Sequence, residues 1–209
     1  MDAIITLSQL YPAVFYSLVF FVSLMVGSFL NVVIYRLPIM MERSWQQEYQ
    51  SYFSEGAPTP HDKNSSASEE VFNLVKPDST CPSCGHKIRA WENIPVISYL
   101  FLKGKCAKCK VGISVRYPLV ELFTALACTF AAYQFGVTSQ ALWAVLFTYI
   151  LVALLFIDLD KMLLPDQLTL PLLWLGLLLS TQHIFVGTTD AIIGAAAGYL
   201  SLWSVFWLF

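Results

Sequence analysis

Long apolar runs dominate this chain and set the first constraint on its fold. They extend from about Val14 to Ile34, Leu119 to Phe135, Ala141 to Ile157, Leu168 to Leu179 and Ala191 to Phe209. Most approach the ~20 residues that a helix needs to cross a bilayer. The fourth run is shorter and reaches toward Asp166 on its broadest reading. With 57% of the 209 residues hydrophobic and only 12% charged, the composition points away from a soluble domain. Backbone polar groups in lipid must be satisfied within the segment, so the runs are expected to be helical. The expected fold class is therefore an all-α polytopic membrane protein with about five transmembrane helices. The start, Met1-Asp-Ala-Ile-Ile, lacks the basic flank of a cleavable signal, which makes the first run a retained anchor.

Charge placement gives the orientation. Eleven of the twelve Lys and Arg lie between Arg36 and Arg116, and the twelfth is Lys161. If the helices alternate in direction, both segments fall on one side, and the other side carries only Asp2 and Asp190. Positive loops stay inside, so the 36–117 insert and the turn from Asp158 to Asp166 are expected in the cytosol, with the N-terminus outside. No basic patch is interleaved with aromatics and the net charge is −2, so no nucleic-acid partner is expected.

The chain divides into a first span (1–35), a polar insert (36–117) and four further spans (118–209). Within the insert, residues 43–70 read as a poorly ordered arm, with Pro58-Thr-Pro60 and Asn64-Ser-Ser-Ala-Ser-Glu-Glu70. Residues 76–117 carry Cys81-Pro-Ser-Cys84 and Cys106-Ala-Lys-Cys109. Each two-residue spacer lets both sulfurs of one tight turn face the same ion, and two such turns close a tetrahedral Zn²⁺ site. The 21 residues between Cys84 and Cys106 slightly exceed the usual ribbon spacing. A redox dithiol or two disulfides are the other readings, and a reducing cytosol favours metal over both. The expected result is a zinc-ribbon-like knob held by four cysteines, because so short a segment seldom builds a sufficient core alone. His86 is either a replacement ligand or an exposed residue of the turn. Cys128 falls inside a span and reads as small apolar packing. Gly27-Ser28 with Asn31, and Gly194-Ala-Ala-Ala-Gly198, read as close-packing signals, with Asn31 able to bond across the bundle.

Asp158 follows directly on an apolar run, at the membrane boundary, where an ionisable group is costly and points to function. Burial there would favour its protonated form, the property an acid–base group needs. Aspartic-protease chemistry requires two carboxylates sharing a proton. Asp160, Asp166 and Glu121 are the remaining candidates, and Asp190 lies on the wrong side. No Gly-x-Ser-x-Gly, His-Glu-x-x-His, Walker loop or Gly-x-Gly-x-x-Gly occurs.

At this point the motifs resemble a known family. Gly27-Ser-Phe-Leu-Asn-Val-Val-Ile-Tyr-Arg-Leu-Pro38, the paired Cys-x-x-Cys turns, Glu92-Asn-Ile-Pro-Val-Ile-Ser-Tyr99, Arg116-Tyr-Pro-Leu-Val-Glu121 and Ile157-Asp-Leu-Asp-Lys-Met-Leu-Leu-Pro-Asp166 occur in order over essentially the whole chain. Together they closely resemble the bacterial type IV prepilin peptidases, which are also N-methyltransferases. The resemblance implies a multi-pass enzyme of the inner membrane that removes a short basic leader after a glycine. It then methylates the new N-terminal residue, usually Phe, with S-adenosylmethionine. Type IV prepilins and type II secretion pseudopilins are the implied partners. Asp158 matches the first catalytic aspartate, and Cys81, Cys84, Cys106 and Cys109 match the metal ligands. No local motif marks a site for S-adenosylmethionine.

The family's second aspartate belongs to a Gly-x-Gly-Asp motif after the fifth span, whereas this sequence stops at Trp203-Ser-Val-Phe-Trp-Leu-Phe209. The sequence therefore reads as a fragment lacking half the dyad, expected to be inactive as a peptidase. The alternative is a non-proteolytic membrane adaptor that binds prepilin or assembly partners through the metal-stapled insert.

Overall fold

The computed structural model describes residues 11–54 and 72–208. Six α-helices follow in order: α1 (Pro12–Ser54), α2 (Ile97–Phe101), α3 (Arg116–Phe135), α4 (Ser139–Lys161), α5 (Asp166–Thr181) and α6 (Thr188–Leu208), with a 3-10 turn at Ala90–Asn93. Among the described residues the only β-pairing is two isolated bridges, Thr80 with Lys87 and Lys105 with Gly112. The all-α expectation holds.

Helix α1 departs most from the sequence reading. It runs unbroken for 43 residues, about 65 Å, or roughly twice the ~30 Å hydrocarbon layer. Residues 43–54, expected as disordered arm, are helical; the rest of that arm, 55–71, lies outside the described residues. Their polarity fits a helix that continues past its apolar run. Met40-Met-Glu-Arg-Ser-Trp-Gln-Gln-Glu48 contains neither Gly nor Pro and is rich in good helix formers. Pro38 sits inside the helix, fully buried.

Among the described residues four helices, α1, α3, α4 and α6, are long and apolar enough to cross a membrane. Helix α5, the fourth anticipated span, has 16 residues and reaches only about 24 Å. Helices α1, α3 and α4 form the packed heart of the molecule, with Leu30, Val33, Ile34, Val120, Val152 and Ile157 in its core. Gly27 sets the closest approach: a Cβ there would lie 2.9 Å from Glu121 Cα. Asn31 donates to the Tyr117 carbonyl across the same seam at 3.1 Å. The packing expected of Gly27 and Asn31 is therefore present. Around Gly194 and Gly198, nothing lies within 4 Å. Helix α6 buries no side chain, as suits a helix whose solvent is lipid.

The helices alternate in direction. At one end, Lys161 pairs with Glu42 at 3.3 Å and Arg116 pairs with Asp160. At the other, Gln140 donates to the Ile184 carbonyl and Phe135 meets Phe185 with ring centroids 5.5 Å apart. The insert's basic ends and Lys161 thus share one end of the bundle, as the charge pattern requires.

Candidate functional site

Each Cys-x-x-Cys pair lies on a tight knuckle, and the two knuckles repeat one design. In the first, Cys81 N–H donates to the His86 carbonyl at 2.9 Å and Gly85 N–H to the Cys81 carbonyl at 2.9 Å. In the second, Cys106 N–H donates to the Val111 carbonyl at 2.8 Å and Lys110 N–H to the Cys106 carbonyl at 3.1 Å. The residue after the second cysteine is left-handed in both, Gly85 at φ 66° and Lys110 at φ 62°. Glycine takes that conformation freely, whereas lysine does so at a cost.

The four sulfurs of Cys81, Cys84, Cys106 and Cys109 all lie within 4.8 Å of one another. Across the knuckles, Cys81 Sγ and Cys109 Sγ are 3.8 Å apart. A regular tetrahedron with Zn–S bonds of ~2.3 Å has edges of about 3.8 Å, so the donor set fits Zn²⁺ in type and spacing. All five cysteines are free thiols, which sets aside the disulfide reading. Cys128 is fully buried in α3, as its packing role predicts. The backbone N–H groups of Cys109 and Lys108 pull the Cys106 thiol down to about 6. The Val111 N–H lowers Cys109, but desolvation and the neighbouring thiols outweigh it and push that thiol up to about 11. Neighbouring thiols without a cation between them cannot all ionise.

His86 is neither a ligand nor exposed. Its Nε2 lies 3.1 Å from Glu92 Oε2. Glu92 also accepts from the Arg89 N–H at 3.1 Å. That N–H is the main reason its carboxyl stays below the usual range.

Three contacts that sequence reasoning missed tie the knob to the bundle. The buried Arg36 of α1 donates to the carbonyls of Asn73 at 3.0 Å and Pro77 at 2.6 Å. Glu121, buried in α3, accepts from the Val96 N–H at 2.8 Å. Val96 is held there at φ 57°, a conformation that β-branched residues avoid and that costs about 1–3 kcal/mol. Arg116 holds Asp160 and lies 5.9 Å from the centre of the Phe156 ring. No local sequence signal reveals these pairs, since their members are 25 to 44 residues apart.

The carboxylates diverge. Asp158 and Asp160 are two apart on α4 and so point to different faces. Asp160 faces Arg116 on α3. Asp158 lines an open apolar groove of about 910 Å³ between α4, α5 and α6, with Leu151, Leu155, Leu172, Leu173 and Ala195. Asp158 is exposed rather than buried as anticipated, because α5 and α6 stand away from its face of α4. Asp166 opens α5 and Asp190 lies in the first turn of α6. Among the described residues, no hydrogen bond joins Asp158 to Asp160, Asp166 or Glu121.

Comparison with known proteins fits this layout. Residues 21–135 match the family model for the bacterial peptidase A24 N-terminal domain, and residues 145–209 that for the type IV leader peptidase family. A prepilin leader peptidase/N-methyltransferase of Aeromonas salmonicida is 56% identical over all 209 residues, covering 70% of that protein. Its counterpart in Pseudomonas aeruginosa is 51% identical over 199 residues, 95% of this chain and 66% of the relative. That of Neisseria gonorrhoeae is 49% identical over 180 residues, 86% of this chain and 60% of the relative. No solved structure matches. Two adjoining family models and close identity along the whole chain lead to one conclusion: the chain belongs to the prepilin leader peptidase/N-methyltransferase family.

Proposed function

We propose that this chain supplies Asp158, one carboxylate of the acid–base pair, to an enzyme that removes the leader peptide of type IV prepilins and N-methylates the residue so exposed. The names of the relatives and the leader-peptidase model over 145–209 support the two activities and favour them over a non-proteolytic adaptor. The observation that carries the residue assignment is the setting of Asp158, a carboxylate on the wall of an apolar groove. Leu151, Leu155, Leu172 and Leu173 offer a prepilin's apolar helix a matching surface. Asp158 sits near the end of α4 where Arg116 and Lys161 form their ion pairs. There it meets the peptide bond that joins apolar helix to polar leader.

Peptide hydrolysis by carboxylates uses one ionised and one protonated group. The ionised carboxylate takes a proton from water as its oxygen bonds to the scissile carbonyl carbon, and the protonated one gives a proton to the departing amine. Asp160 and Glu121 hold Arg116 and the Val96 N–H, so neither is Asp158's partner. The family resemblance assigns the second role to a Gly-x-Gly-Asp aspartate. The methyl group comes from S-adenosylmethionine, the donor that methyltransferase relatives imply. Cys81, Cys84, Cys106 and Cys109 would hold Zn²⁺ as a closed structural ion that fixes the knob. We place the protein in the bacterial inner membrane with the knob and Asp158 on the cytosolic side, where type II secretion pseudopilins would also have access.

The test compares wild-type and Asp158→Asn membranes, each prepared from cells expressing the gene. Cleavage of added prepilin should fall by about 10²–10⁴, while methylation of a pilin supplied without its leader persists. Cleavage at the wild-type rate by the Asp158→Asn protein removes Asp158 from the mechanism.

A further inference from the structure

The outer face of the metal knob carries a surface that the reading above leaves unused. Helix α2 turns Tyr99 inward: its hydroxyl donates to the Ile113 carbonyl at 3.3 Å, and its ring packs against Gly104. Ile97, Leu100 and Phe101, spaced to share the other face, point outward, with Leu100 67% and Phe101 84% exposed. Directly after them come Lys103, Lys105, Lys108 and Lys110, all exposed, in a stretch from 97 to 115 without one acidic residue. Among the described residues none of these lysines has an ion-pair partner, and the knob's two acids are engaged, Asp78 by Lys87 and Glu92 by His86.

The depth of this face is fixed by Glu121. It lies five residues inside α3 from Arg116, about 7 Å along the helix axis. Its carboxylate binds the N–H of Val96, the residue immediately before α2. The short helix is thereby held beside the first turns of α3, at the end of the bundle where Arg116 and Lys161 form their ion pairs, the end expected to meet water. An apolar face with unpaired lysines at that depth matches the interfacial layer of a bilayer, where aromatic and aliphatic groups enter and lysines reach lipid phosphates.

We propose that the knob is a lipid-interface anchor: Ile97, Leu100 and Phe101 enter the headgroup layer while Lys103, Lys105, Lys108 and Lys110 bind anionic lipid headgroups. Charge decides between this occupant and the leader peptide, since a basic leader is repelled by four unpaired lysines. A five-residue helix is too short to hold a membrane alone. Here α3 tethers it, so each lysine has only to add its own preference for anionic lipid, about fivefold. The proposal rests on the membrane reading of α1, α3, α4 and α6 and not on either activity.

Amide hydrogen exchange of the whole protein in nanodiscs tests it without any catalytic readout. Two lipid compositions are compared, zwitterionic lipid alone and the same lipid mixed with an anionic one. Amides of residues 97–105 should exchange at least about fivefold more slowly in the anionic discs. Replacing the four lysines by Gln should abolish the difference while the α3 and α4 amides stay unchanged as the folding control. Phe101→Gln leaves every charge in place and should weaken the protection in anionic discs. Equal exchange in both lipids, whether fast or slow, overturns the proposal, as does protection that survives loss of the lysines. The second result would mean that protein rather than lipid covers the face.

Discussion

Gly27 is the sharpest test of how this molecule is packed. A methyl group placed there would lie 2.9 Å from Glu121 Cα, 3.2 Å from the Glu121 carbonyl oxygen and 3.2 Å from Thr124 Cβ. Non-bonded carbons rest at about 3.5–4.0 Å, so Gly27→Ala must push α1 and α3 apart by roughly 0.6–1.1 Å. Backbone atoms cannot rotate aside as a flexible side chain would. Overpacking of this kind costs about 1–3 kcal/mol, a factor of roughly 5–150 in the folding equilibrium. The strain falls on Glu121, whose carboxylate also holds the Val96 N–H, so it passes directly to the knob.

Gly194 supplies the control, because nothing lies within 4 Å of the added Cβ. Gly194→Ala should be neutral or slightly stabilising, since alanine favours a helix over glycine by about 0.8–1 kcal/mol. The assay is reversible unfolding of the purified protein in mixed micelles, followed by tryptophan fluorescence, for wild type and both variants. Hydrogen exchange at residues 96–101 reads the damage to the knob's attachment. If Gly27→Ala is no less stable than Gly194→Ala, α1 and α3 do not meet as described, and the closeness assigned to this seam is wrong.

Two further outcomes concern the metal knob. Gly85→Ala puts a Cβ at φ 66° with no neighbour to clash, so only backbone strain of about 1–2 kcal/mol acts, lowering zinc affinity about 5- to 30-fold. Lys110→Ala, already at φ 62° with a side chain, should leave affinity unchanged, as competition with a chelating indicator would show. Affinity should also rise with pH, because metal displaces thiol protons. With Cys109 near 11, its proton is released on binding throughout the neutral range; with Cys106 near 6, the Cys106 proton begins to compete only below that pH. A plot of log affinity against pH should therefore steepen by about one unit of slope as pH falls through 6, and a constant slope would contradict the Cys106 assignment.

What the sequence disclosed depended on the range of the interaction. The four-cysteine cluster was legible because each half is a local turn, and only the docking of two similar turns remained to be found. Helix direction was legible because lysines and arginines avoid one side of a membrane whatever their contacts. The length of α1 was not, since polar residues 43–54 have the composition of either a linker or a water-exposed helix. Glu121 was read at the start of the second span, as a possible partner of Asp158. Its actual contact, the Val96 N–H, lies 25 residues earlier and leaves no pattern in composition or spacing. Asp158 was singled out by its position after an apolar run, while its place on the groove wall follows from how α5 and α6 stand relative to α4.

These long-range contacts also explain why a small metal-stapled unit can have a fixed place on a helical bundle. Arg36 grips the segment entering the knob through two carbonyls, Glu121 grips its middle at Val96, and Arg116, where the knob passes into α3, pairs with Asp160 on α4. Three attachments on three different helices restrain rotation as well as translation, which one or two would not. The last of them is two residues from Asp158 on the same helix. A shift of the knob therefore bears on the turn of α4 that aims Asp158 into its groove, although no ligand-bearing cysteine is near that carboxylate in sequence. On this geometry an ion held by the four cysteines would act mechanically: it would keep the knob rigid, and the Arg116–Asp160 pair would carry that rigidity to the end of α4.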